Sequence, residues 1–159
     1  MPILEKISAA LDRICGFLIV IMVGLMVIFT TAQIICRTWF TALSWSEEVT
    51  RFLLIWASFL GATCVYRHSG NIAITFIQES MPPRVRRLMA MFVHLVCMVL
   101  FAFLFYYGVL YCMKQVRTAA ALPIKMKYIY SCLPISMIIM SFHALVMLLE
   151  QALGKEVKG

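Results

Sequence analysis

Four apolar runs, each long enough to cross a bilayer as a helix, dominate this chain and leave it few ways to fold. A crossing takes about 20 helical residues, and inside the hydrocarbon every backbone polar group has to be satisfied within the protein. Runs at about 14–36, 49–66, 88–113 and 128–149 meet that demand and fill most of the 159 residues. The expectation is an all-α, integral membrane four-helix protein forming a single domain over 1–159. Only 13% of its residues are charged, against about 25% in an average soluble domain, so no stretch is left for a soluble catalytic unit.

The polar residues punctuate these runs. Arg37 stops the first, Arg67-His68 ends the second, and Lys114 follows the third. Lys6 and Arg13 before the first run resemble the start of a signal peptide, but the apolar stretch is too long and lacks a small-residue cleavage site, so it is expected to stay as a helix. Four spans with short connections put both termini on one side. That side carries eight Lys and Arg (Lys6, Arg13, Arg67, Arg84, Arg86, Arg87, Lys155, Lys158), and the other carries six (Arg37, Arg51, Lys114, Arg117, Lys125, Lys127). The excess points to cytoplasmic termini. Because the cations sit at the ends of apolar runs, the net charge of +7 suits a phospholipid bilayer and not nucleic acid. The cluster Arg84, Arg86, Arg87 opens a helix, where cations oppose the macrodipole, so lipid headgroups are its expected partners.

Two segments refine the architecture. The second run is the shortest: counted from Phe52 its apolar part covers about 23 Å, so it needs local thinning, snorkelling or protein neighbours. Between runs two and three, Ile72, Ala73, Phe76 and Ile77 share one helical face while Asn71, Thr75, Gln78 and Glu79 share the other. That pattern predicts a short interfacial amphipathic helix over 71–80, turned into the third span by Pro82-Pro83.

Candidate chemistry is sparse. The segment from Arg37 to Arg51 holds Trp39 and Trp45 at headgroup level and Glu47 and Glu48 spaced to meet Arg51. It reads as a charge-neutral knot fixing the first two helices and a partner's surface, with an ion or proton site as the rival reading. The basic loop Lys114–Lys127, with Lys114, Arg117, Lys125 and Lys127, runs against the positive-inside bias and suits an acidic patch on a soluble partner. His94 and His143 lie at similar depth in spans three and four, the arrangement of a bis-histidine haem, although single histidines in spans more often bond to neighbouring helices. The six cysteines form no C-x-x-C pair and the twelve methionines no repeated motif, so both read as core filling, and no metal site or cofactor is expected. No nucleophile–base set or phosphate loop supports an enzyme.

Taken in order, several of these elements carry a family likeness. Arg37 ends span one, Trp45-Ser-Glu-Glu48 with Arg51 opens span two, Phe59-Leu-Gly61 lies within it, and Arg67 with Gly70 and Ile72 closes it. Leu122-Pro123-Ile124, Tyr128 and Leu133-Pro134-Ile135 follow. In this combination the chain resembles the small membrane subunit of tripartite ATP-independent periplasmic (TRAP) transporters, departing from them at Asn71, where a histidine often stands. The resemblance implies a bacterial inner-membrane assembly with a large membrane subunit that carries substrate and sodium sites. It also implies a periplasmic substrate-binding protein that delivers an organic acid. In that setting Arg37, Trp45, Glu47, Glu48, Arg51, Gly61, Arg67, Gly70 and Pro134 become structural or partner-interface residues. The alternatives are a haem-binding membrane electron carrier and a tetraspan transporter that acts alone.

Overall fold

The computed structural model describes residues 2–39, 44–69 and 82–152. They form α1 (Pro2–Trp39), α2 (Ser44–Ser69), α3 (Pro83–Lys114), α4 (Met126–Tyr130) and α5 (Cys132–Ala152). Four stretches of helix, Ile3–Trp39, Ser44–His68, Leu88–Lys114 and Met126–Gln151, are long and apolar enough to cross a membrane, the last made of α4 and α5 together. The expected all-α membrane architecture is the one the chain adopts. The segment 71–80, with its proposed interfacial helix, and Gly70 lie outside the described residues, as do the side chains of Arg84, Arg86 and Arg87.

The helices run past their apolar runs. α1 begins at Pro2, twelve residues before the expected span, because Leu4, Ser8, Leu11 and Cys15 continue a helical stripe that packs inward. α2 begins at Ser44, so Trp45, Glu47 and Glu48 belong to its first turns and not to a loop. α3 opens on Pro82-Pro83, with Pro83 in the first helical turn, where a missing N–H costs nothing.

The fourth span is broken at Ser131. Pro134 has no N–H to offer the Tyr130 carbonyl, and its ring would press on that carbonyl in a continuous helix, so α4 ends and α5 starts afresh. Ser136 Oγ turns back along the new helix and donates to the Cys132 carbonyl (2.6 Å), with the Leu133 carbonyl also in reach (3.0 Å), so this buried hydroxyl is satisfied within its own helix.

α5 is the centre of the molecule: α3 packs along it, α2 packs on it as well, and α1 touches it while lying mainly against α2. The best-buried core joins α5 and α3 through Phe101, Met137, Met140 and Ala144, with Phe59, Ala62 and Tyr66 of α2 closing over it. Met137 and Met140 are buried in this core and Met147 is buried farther along α5, filling gaps between helices, whereas Met89 and Met113 are exposed. All six cysteines are free thiols. α1 is at the other extreme, with apolar side chains such as Ile14, Phe17, Val20, Val27 and Ile34 exposed along its length.

Candidate functional sites at the two ends of the bundle

Polar side chains gather at both ends of this bundle. At the loop end, Trp45 meets Phe29 edge-on with ring centroids 6.0 Å apart, tying the start of α2 to α1. Arg37, Glu47 and Arg51 are exposed and Glu48 is half-buried. Among the described residues, no ion pair joins Glu47 or Glu48 to Arg37 or Arg51. The spacing within the helix predicts such pairs, but Glu48 turns to a stronger set of donors. Its Oε1 accepts from the Ala120 N–H at 2.8 Å and its Oε2 from the Ala121 N–H at 3.0 Å. A carboxylate chelated by two successive amides makes charge-assisted bonds to donors that the backbone already fixes, whereas a pair with Arg51 must also immobilise a second long side chain.

Those amides belong to the basic loop, which has a defined shape. Thr118 and Lys125 face each other as an antiparallel bridge. Ala119 N–H donates to the Ile124 carbonyl (2.9 Å), Ile124 N–H to Leu122 (2.7 Å) and Met126 N–H to Arg117 (2.9 Å). The chain therefore reverses tightly between α3 and α4. Lys114, Arg117 and Lys125 are exposed on it, while Lys127 is partly buried, with its ammonium 5.0 Å above the Tyr128 ring.

The terminal end holds a cluster that sequence reasoning missed. Asp12 of α1, with its side chain 18% exposed, lies 4.0 Å from Arg67 and 3.7 Å from His68 at the end of α2. His68 Nδ1 donates to the Cys64 carbonyl (2.9 Å), and the Cys64 thiol donates to the Asp12 carbonyl (3.8 Å). Ser8 Oγ and His143 Nδ1 are 2.8 Å apart, joining α1 to α5. Arg67, expected to be a structural or partner-interface residue, points toward Asp12 of its own chain. In sequence Asp12 reads as a flanking charge beside Arg13, and its partners lie more than fifty residues away.

The two span histidines sit apart in role. His143 bonds Ser8, and His94 Nδ1 lies 3.2 Å from Tyr66 Oη, so each ring is held by a side chain of another helix. Among the described residues, no three His, Cys, Asp or Glu side chains converge as a metal would require. Gly61 has open space where a side chain would stand, and Pro134 is buried against α3 beside Gly108.

Comparison with known proteins connects this arrangement to one family. The model of the DctQ component of tripartite ATP-independent periplasmic transporters matches residues 26–154. The sialic acid TRAP transporter permease protein SiaT of Haemophilus influenzae is 28% identical over 135 residues, covering 80% of this chain and 20% of SiaT. A TRAP transporter small permease protein of the same species is 30% identical over 78 residues, covering 48% of this chain and 46% of that protein. The chain thus spans less than half the length of either curated relative.

Proposed function

The chain belongs to the DctQ family of tripartite ATP-independent periplasmic transporter components, and from that premise we propose that it is the scaffold subunit of a sodium-driven importer of an organic acid. It is a small permease subunit and a multi-pass membrane protein. One comparison carries the proposal furthest. Most of this chain corresponds to only one-fifth of a single, much larger permease protein, SiaT, so its partner is a membrane protein several times its size. The exposed apolar length of α1 and the open space at Gly61 supply surface for that partner and for lipid.

In this role the chain holds the large subunit in place while the large subunit moves substrate, and it catalyses no reaction. A fixed scaffold around which a mobile domain works is a recurring design in secondary transporters. The basic loop end faces the periplasm of a bacterial inner membrane and helps dock the substrate-binding protein, while both termini face the cytoplasm. The positive side-chain excess at the terminal end supports that orientation.

The test is co-purification followed by reconstitution in vesicles. Uptake of an organic acid should require this chain, the large subunit, the binding protein and a sodium gradient together. Uptake by this chain alone would overturn the assignment.

A further inference from the structure

The geometry points to Glu48 as a positioning residue that holds the basic outer loop ready for a carboxylate-bearing partner. The inference rests on the docking role proposed above and adds to it the group that gives the docking surface its shape. The loop end of the molecule carries six cations, Arg37, Arg51, Lys114, Arg117, Lys125 and Lys127, and two carboxylates, Glu47 and Glu48. Glu48 is the carboxylate spent inward, on the amides of Ala120 and Ala121. Those two amides lie at the tip of the reversal closed by the Thr118–Lys125 bridge, between the exposed Arg117 and Lys125.

α2 thus reaches across to the connection between α3 and α4 and sets the separation and direction of the loop's cations. A loop already ordered before docking loses less conformational entropy when it binds, which slows dissociation more than it speeds association. Exposed cations act differently. They steer an acidic partner, and their removal mainly lowers the association rate and its salt dependence.

This separation yields a test in which charge and positioning predict opposite signs. Glu48→Gln removes a negative charge from a basic surface, so charge alone makes an acidic partner bind more tightly. Loss of positioning makes it bind more weakly. The protein is the full complex with the large subunit in lipid nanodiscs, and the probe is the binding protein that restores uptake in the reconstituted vesicles.

Glu48→Gln is expected to raise the amide exchange rates of Ala120 and Ala121 by about tenfold or more, the signature of a loop that opens locally. It is also expected to weaken docking by roughly tenfold, mostly through faster dissociation, with the large subunit still bound. A triple reversal, Lys114→Glu, Arg117→Glu and Lys125→Glu, should cut the association rate while leaving exchange at Ala120 and Ala121 unchanged.

If the triple reversal weakens docking and Glu48→Gln leaves it unchanged or tighter, the positioning role is wrong and the docking role stands. If the triple reversal has no effect, the docking role itself falls. If Glu48→Gln prevents assembly, Glu48→Asp takes its place. It keeps the charge but draws the carboxylate back by one methylene, and undisturbed exchange and docking in that variant would overturn the inference.

Discussion

Asp12 illustrates how much a single side chain depends on company from elsewhere in the chain. Its carboxylate sits near Arg67 and His68, its backbone carbonyl accepts from Cys64, and one turn earlier Ser8 meets His143. Asp12 and Arg67 meet as a 4.0 Å charge pair, with Asp12 Oδ1 and Arg67 Nη1 making no hydrogen bond among the described residues, so removing either leaves the other charge unbalanced at a half-buried site, which costs about 1–3 kcal/mol. Asp12→Ala and Arg67→Ala should each lower the thermal midpoint of the detergent-purified chain. The double variant should lose clearly less than the sum, since both single changes break one contact. Ser8→Ala should destabilise to a similar degree by depriving the fully buried His143 ring of its partner. None of this was legible locally, because Asp12 stands among Glu5, Lys6 and Arg13 as one flanking charge of four. Glu48 stands out in the sequence through its spacing to Arg51, but the partners it meets are backbone amides, and amides have no identity in a sequence.

Among the helices, the four spans were the easiest feature to read, since hydrocarbon imposes length and apolarity together. Their ends were not, because a helix continues wherever its inward stripe finds something to pack on. The segment Leu4, Ser8, Leu11, Cys15 is such a stripe, yet it looks like a charged flank when judged by hydropathy. The α3–α5 contact was also hidden. Gly108 lies where α3 crosses the start of α5, and a Cβ there would collide with the Leu133 side chain and sit 3.6 Å from Pro134 Cδ. The colliding atom is a terminal methyl that can rotate, so Gly108→Ala should cost about 1 kcal/mol or less. Gly108→Leu must push the helices apart and should cost about 1–3 kcal/mol. Thermal unfolding of the two variants, monitored by circular dichroism, checks this order.

For the whole molecule, the family was legible from motif order, and the proposed partners rest on the family alone. Gly61 offers a way to probe the large subunit. A Cβ at this position meets nothing within 4 Å in the isolated chain. Gly61→Leu should therefore leave the thermal stability of the chain within about 0.5 kcal/mol, as surface changes usually do. It should sharply reduce the amount of large subunit recovered with the chain. Normal recovery would place the partner on another face, with the exposed length of α1 as the next surface to scan.

The central position of α5 sets a timetable for synthesis. Of the helices described, α5 is the last to leave the ribosome, yet it is the one on which α3 packs and against which α1 and α2 close. The α1–α2 pair can form as soon as it is inserted. α3 then meets α2 through Tyr66, whose ring packs edge-on against Phe101 and whose hydroxyl lies 3.2 Å from His94, while the rest of its inner face waits for Met137, Met140 and Ala144. Assembly of these spans therefore waits on the synthesis of α5. A chain cut before Cys132 would still insert three helices in the membrane, with α3 held to the α1–α2 hairpin by the Tyr66 contacts but without the element that buries its inner face.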